Sequence, residues 1–333
     1  MFKYIIKRLG LSILILLGVS IILYVLIRLM PADFLENKFS SQLGQGTMTM
    51  EDLNNLKKLY GLDDNSFRGI ITGYFDWLFK ALRGDLGDSF IYQIPVAQVI
   101  ADKMWISFAI SGVALILQFV IAIPLGVSSA VKQYSIQDYL VTVFTMIGIS
   151  FPSFFFAAIL IKVFAVELGW LPVSGQTDPS INPDEVSIFE YLLSNLSYLI
   201  LPMVTMVVLS IGSLMRYTRT NTLEVLNADY IRTARAKGLN EQKVIYKHAF
   251  RNTMIPLVTM FAGILPSLFG GMMITEEVFA INGIGRLAYN ALYEGDIPFV
   301  MGYNMFLAIL TVIGTLFSDI MYSVVDPRVK LGK

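Results

Sequence analysis

Six long apolar stretches punctuate the chain, at Leu9–Ile27, Ile106–Val127, Tyr139–Val166, Leu192–Leu214, Thr253–Ile274 and Tyr303–Val325. A helix needs about 20 predominantly apolar residues to cross the hydrocarbon of a bilayer. Each stretch therefore predicts a spanning helix, and the pattern predicts an all-α, polytopic membrane protein with six transmembrane helices. The first stretch follows Lys3, Lys7 and Arg8 as a secretory signal would, but its apolar run is too long and lacks a small-residue cleavage site. It is predicted to stay on the chain. With no internal repeat or low-complexity tract, residues 1–333 read as a single transmembrane domain.

The polar segments carry patterns of their own. In the longest, residues 32–105, Thr49-Met-Glu-Asp52 resembles a capping box before Leu53, Leu56 and Tyr60, with Gly61 as a stop. Ser66 to Arg83 places Phe67, Ile70, Ile71, Tyr74, Trp77, Leu78 and Leu82 at helical spacing, which predicts an amphipathic helix for the membrane interface or for packing over the bundle. Between the fourth and fifth stretches, residues 215–252 form a second elaborate segment. There Asp229 is expected to cap a short helix, Arg235 and Lys237 to face the negative end of its dipole, and Gly238 to supply a left-handed stop. Asn240 is expected to cap a following helix from Glu241 to Asn252. A helix of roughly two turns does not persist alone in water, so it needs a docking surface, expected here to be a partner on the cytoplasmic side.

Composition supports the membrane reading, with 55% hydrophobic residues and only 15% charged, against about 25% charged in soluble domains. Twenty-five basic and 25 acidic residues give no net charge, so nothing points to nucleic acid, and the absence of cysteine removes disulfide and thiol chemistry. Charge distribution sets orientation. Residues 215–252 hold Arg216, Arg219, Arg232, Arg235, Lys237, Lys243, Lys247 and Arg251 against Glu224, Asp229 and Glu241, and the tail adds Arg328, Lys330 and Lys333. Glu167–Ser197 holds five acids and no Lys or Arg; Glu276–Met301 holds four acids and Arg286. The excess of bases faces the cytoplasm, which predicts both termini inside, residues 32–105 outside and residues 215–252 inside.

Catalytic motifs are missing. The single histidine, His248, has no zinc-protease HExxH around it, no GxSxG elbow occurs, and no GxxxxGK[ST] loop is present to cradle a nucleotide phosphate. An enzyme is not expected, nor a metal site. Lys162 and Asp319 are ionisable residues within predicted spans, and one such carboxylate is thin support for an ion-coupled transporter working alone. Pro152, with Gly148 and Ser150 close by, forms a candidate gate or pathway segment. The methionines Met203, Met206, Met215, Met260, Met272 and Met273 suit packing, lipid contact or a tolerant pore wall.

Tyr230-Ile-Arg-Thr-Ala-Arg-Ala-Lys-Gly-Leu239, His248-Ala-Phe-Arg-Asn252 and Ile255-Pro256 resemble the coupling loop of binding-protein-dependent ABC importer permeases, dipeptide/oligopeptide branch. Likeness extends to Tyr4-Ile-Ile-Lys-Arg-Leu9, Leu26-Ile-Arg-Leu-Met-Pro31, Gly84-Asp-Leu-Gly-Asp-Ser89, Ile123-Pro-Leu-Gly126, Gly148-Ile-Ser-Phe-Pro-Ser-Phe154, Gly169-Trp-Leu-Pro-Val-Ser-Gly175, Glu277-Val-Phe279, Gly283-Ile-Gly-Arg-Leu287 and Asp326-Pro-Arg328. Where sugar and amino-acid importers begin this helix with Glu-Ala-Ala, this chain has Arg232, Thr233 and Ala234, as the peptide branch does. The resemblance implies a type I importer permease fold in a prokaryotic cytoplasmic membrane. It implies a second homologous permease, one or two ABC ATPase subunits that bind ATP and Mg, and an extracytoplasmic substrate-binding protein as partners. It assigns coupling to Asp229, Tyr230, Arg232, Thr233, Ala234, Arg235 and Gly238. Nickel-complex or glutathione permeases share these signatures, so the solute stays open within the family at this point.

Overall fold

The computed structural model describes residues 2–28, 39–40, 43–44, 46, 49–59, 64, 66–175, 177, 188–258, 260–270 and 272–325. The expectations at Pro31, Tyr60, Gly61 and Asp326-Pro-Arg328 lie outside these residues. Regular structure among the described residues is helical, apart from one isolated bridge between Asp88 and Pro95. The helices are α1 (Phe2–Arg28), α2 (Met50–Leu59), α3 (Phe67–Leu82), α4 (Val96–Val131), α5 (Ile136–Ser150), α6 (Ser153–Leu160), α7 (Ile188–Leu226), α8 (Asp229–Ala236), α9 (Glu241–Lys243), α10 (Phe250–Val258), α11 (Phe261–Gly270), α12 (Met273–Val278), α13 (Ile284–Glu294) and α14 (Ile297–Val325). Wide π-helical turns continue α6 at Ile161–Glu167 and join α9 to α10 at Val244–Ala249.

Among the described residues four helices are long and apolar enough to cross a membrane: α1, α4, α7 and α14. The third predicted stretch is not one straight helix. α5 and the α6 segment through Glu167 meet at 105° and count as a fifth span only if the bent pair crosses together. The cause is local: Pro152 disfavours helical backbone at Phe151, and both residues are extended (φ −81°, ψ 131° and φ −60°, ψ 139°). The fifth predicted stretch is divided among α10, α11 and α12. α7 runs through Leu226, so the first residues expected in the loop after the fourth span are helix.

The chain forms two compact units. One comprises Met1–Lys103 and Leu287–Val312. In it α3 lies lengthwise against the second half of α1: the Ser20 and Tyr74 hydroxyls bond at 2.8 Å, and Tyr24 meets Tyr74 edge-on. Tyr24, Phe39, Leu53, Ile297 and Met301 are the buried centre, with Ile70, Trp77 and Phe90 packed around them. The cap expected at Thr49–Asp52 is present. Thr49 and Asp52 form a reciprocal box, with backbone-to-side-chain distances of 2.9 and 3.1 Å, and Ser66 Oγ accepts from the Gly69 N–H. The opposite edge of α3, Phe67, Ile71, Phe75 and Phe79, is exposed.

The other unit comprises Met104–Arg286 and Ile313–Lys333, and α7 is its axis. Leu201, Met206, Val207, Ile211, Leu214 and Met215 of α7 share a buried cluster with Ile110, Ala114 and Ala122 of α4, Ala157 and Leu160 of α6, and Leu257. Glycines let the backbones close in, a common device of membrane helix pairs. A Cβ on Gly148 would stand 2.8 Å from the Val208 carbonyl, and one on Gly212 would stand 2.6 Å from the Thr145 carbonyl, so α5 and α7 each present a glycine to the other. Gly126 meets the Met215 carbonyl and Thr218 in the same manner.

Candidate functional site

α8 follows α7 after only Asn227 and Ala228. Its start differs from expectation: Ala228 holds the extended cap position (φ −71°, ψ 148°) without a side-chain bond, and Asp229 is the first helical residue. The Asp229 carboxylate is almost fully exposed and pairs with Arg232 at 3.5 Å, so it acts on the dipole and on that arginine rather than as a cap. Gly238 has φ +74° and terminates the helix in the left-handed region. Asn240 Oδ1 accepts from the Gln242 N–H at 3.0 Å and caps the next helical segment, which continues past Asn252 to Val258.

The helix has two unlike edges. Ile231 and Ala234 are buried with Val244 and Ala249, against Val225, Leu226 and Leu239. This cluster is the surface that a two-turn helix requires, and the chain supplies it itself. Ala234 is thus turned inward, away from the face its neighbours present. Arg235 folds back on Glu241, with guanidinium bonds of 2.6 and 3.2 Å. That pairing holds the Glu241 carboxyl below its ordinary range and the Arg235 guanidinium above its own. Asp229, Tyr230, Arg232 and Thr233 remain outward. Partial burial pushes the Tyr230 phenol up, keeping it a neutral hydrogen-bonding group.

The candidate gate residues do not converge. Gly148 faces α7, Ser150 Oγ donates to the Met146 carbonyl of its own helix at 2.8 Å, and Pro152 sits in the bend, at the cap position before α6. Lys162 extends outward and meets Glu167 at 3.8 Å. A pair that sequence inspection does not reveal lies between α5 and α7. Arg219 Nε and Nη2 each donate to Asp138 at 2.8 Å, while Ser129 Oγ and the Tyr134 N–H also donate to that carboxylate. Asp138 is 3% exposed. Arg219 lies about two helical turns before the end of α7, so the pair ties the part of α7 that leads into α8 to the start of α5.

Residues 122–331 match the family model described as the binding-protein-dependent transport system inner membrane component. The chain belongs to this family. Across 99% of its length it is 37% identical to the oligopeptide transport system permease protein AppB of Bacillus subtilis, covering all of that protein. It is 34% identical to a putative peptide permease of Brucella ovis and 32% identical to the dipeptide transport system permease protein DppB of Alkalihalophilus pseudofirmus, each over 99% of this chain and all of the relative. A chain of the MetNI methionine ABC transporter, solved in an inward-facing form, superposes with a TM-score of 0.52 at 18% identity, covering 69% of this chain and 97% of that one. That likeness shows a shared fold.

Two sequence motifs of the permease turn out to be buried carboxylate anchors. Asp296, fully buried, accepts from Ser89 Oγ and from the Phe90 and Ile91 N–H groups at 3.1 Å, and it caps the start of α14 through the Phe299 N–H at 3.2 Å. The Gly84–Ser89 motif is therefore a seat for this aspartate. Glu276 is buried too. It accepts from Ser107 Oγ at 2.7 Å, from the Met272 N–H at 3.2 Å and from the Arg286 N–H at 2.9 Å. A Cβ at Gly283 or Gly285 would overlap its carboxylate, which explains why the Gly283-Ile-Gly stretch carries no side chain at either position. Glu277 pairs with Arg286 at 3.0 Å beside it. Both anchors satisfy the rule that a buried charge keeps hydrogen-bonding partners.

Proposed function

We propose that this permease is one transmembrane subunit of an ATP-driven importer of di- and oligopeptides, working in the cytoplasmic membrane of a prokaryote. In this reading residues 1–333 act as one permease domain with six spans, and both termini and α8 lie on the cytoplasmic side. A second, homologous permease completes the pathway. One or two ABC ATPase subunits bind the ATP and Mg, so this chain needs no cofactor, and a substrate-binding protein delivers peptide from outside.

The observation that carries the coupling role is the division of α8 into a pinned edge and a free one. Ile231 and Ala234 are held in the chain's own core, leaving Asp229, Tyr230, Arg232 and Thr233 as a polar face for an ATPase cleft. The peptide class is supported by the oligopeptide and dipeptide transport systems to which relatives that match from end to end belong. When the ATPases close on ATP, a push on α8 passes directly into α7, because only Asn227 and Ala228 separate them. The Asp138–Arg219 pair then carries it into α5. The coupling contribution of Arg235 is indirect, through its hold on Glu241, and that of Gly238 is the stop that orients the helix.

The test is uptake of labelled dialanine and trialanine by proteoliposomes that hold both permeases, the ATPases and the binding protein. The reading requires uptake with ATP inside the compartment of the ATPases and none with a non-hydrolysable analogue. Uptake driven by an ion gradient without ATP would refute it.

A further inference from the structure

A cavity of about 330 Å³ opens among α4, α7 and the α11–α12 region, lined by Ser111, Ala114, Leu115, Gln118, Met206, Ser210, Ser267, Leu268 and Met272. Its volume is at the small end of natural ligand sites, roughly 300–1,000 Å³. Ser111, Leu115 and Gln118 fall on one face of α4, and Met206 and Ser210 stand one turn apart on α7. Gln118 lies near the middle of the apolar stretch Ile106–Val127, where an amide is costly unless bonded.

The chemistry of this lining is unusual for a bundle interior. Gln118 Nε2 donates to the Ser210 main-chain carbonyl at 3.0 Å. A glutamine amide has two N–H donors and an acceptor oxygen, so a second donor and the carbonyl remain for a guest. No charged side chain is among the lining residues, so a guest's charged terminus would be desolvated there without compensation. Two thioethers, Met206 and Met272, join Ala114, Leu115 and Leu268 in the apolar part of the wall, and unbranched methionine adapts to guests of different shape.

We propose that this cavity is a way-station for peptide main chain, holding the neutral backbone of one or two residues of the transported solute. Gln118 pairs its free N–H and carbonyl with the guest's peptide group, amide to amide. Met206 and Met272 accommodate whatever side chain accompanies it. Recognition therefore falls on what all peptides share, and this inference rests on the peptide-importer reading above.

The chain contains no cysteine, so Ser267→Cys introduces a single thiol at the exposed rim of the cavity. The complete transporter carrying this change would be treated with a small thiol reagent, with and without excess trialanine. Trialanine is expected to slow labelling at least fivefold. Acetate and methylammonium, which carry the termini's charges without a peptide group, are expected to leave the rate unchanged. Gln118→Leu, which keeps the bulk and removes the amide, is expected to abolish the protection and to lower trialanine uptake at least tenfold, with the ATPases still co-purifying. Unchanged labelling in a transporter that takes up trialanine would overturn the way-station while leaving the importer reading intact. Protection that survives Gln118→Leu would also overturn it. A wild-type complex with no ATP-dependent trialanine uptake would instead remove the importer reading, and the way-station with it.

Discussion

At Gly238 the backbone is left-handed, and nothing lies within 4 Å of where a Cβ would stand. A β-branched substitution there meets no steric neighbour; its cost is conformational alone, roughly 1–2 kcal/mol. Gly238→Val is therefore expected to insert normally and to weaken ATPase coupling, whereas Gly238→Asn, which tolerates this backbone, retains most of it. The ratio of peptide transported to ATP hydrolysed checks this, and normal coupling in the valine variant would dismiss the stop as unimportant. A second residue-scale expectation concerns Glu241. Its carboxyl is held below the ordinary range by Arg235, so the stabilisation from pairing is complete above the ordinary carboxylate pKa. It is lost as pH falls through the lowered value. Both side chains are largely exposed, so the contribution is small, about 0–1 kcal/mol. Hydrogen exchange of residues 229–243, corrected for intrinsic rates, should stay flat from neutrality into mild acid and rise only below it, and Glu241→Gln should remove that rise.

Among the elements, α5 and α7 are joined by the buried Asp138–Arg219 pair. Removing one member of a buried ion pair costs roughly 3–5 kcal/mol, because the other charge is left behind. Asp138→Asn and Arg219→Met are each expected to lower the thermal denaturation temperature markedly, and the double replacement to recover a substantial part. Equal, additive losses would show that the two side chains do not act as a unit. Much at this scale was legible in the sequence: the apolar runs of α1, α4, α7 and α14, the Thr49–Asp52 box, the Asn240 cap and the stop at Gly238 all follow from local periodicity or turn chemistry. What escaped depends on distant partners. Nothing in the spacing of Asp138 points to an arginine 81 positions away, and Asp296 and Glu276 read as exposed loop acids until their seats at Ser89 and Ser107 are seen. The bend at Pro152 had its signal, since a proline there can kink the span, but apolar composition runs unbroken across it and gives no hint of an angle of 105°. Asp229 was misplaced by one residue because capping propensity marks a helix start only approximately, and Ala228 takes the extended dihedrals.

For the whole molecule, the buried anchors change how charge reports sidedness. Two of the four acids in Glu276–Met301 are internal acceptors, and Arg219 of the basic segment is committed to Asp138. Arg216, Arg232, Lys237, Lys243, Lys247 and Arg251 still outnumber the bases of the two short segments assigned outside, none in Glu167–Ser197 and Arg286 alone in Glu276–Met301; residues 32–105 hold seven bases, but that segment is too long to weigh in the orientation rule. Because the chain lacks cysteine, the proposed topology is directly testable with single thiols. A membrane-impermeant reagent applied to intact cells should label Glu294→Cys and spare Lys237→Cys until the cells are lysed; the reverse pattern would invert the orientation. The family assignment and the two-edged α8 together support the proposal that this chain is one part of an energised assembly rather than a transporter on its own. The most direct measurement is purification of the tagged chain from its native membrane in mild detergent, with identification of every protein that accompanies it. The peptide-importer account predicts a second permease of the same family together with one or two ATPases carrying GxxxxGK[ST] loops. A homo-oligomer recovered reproducibly without any ATPase would contradict it.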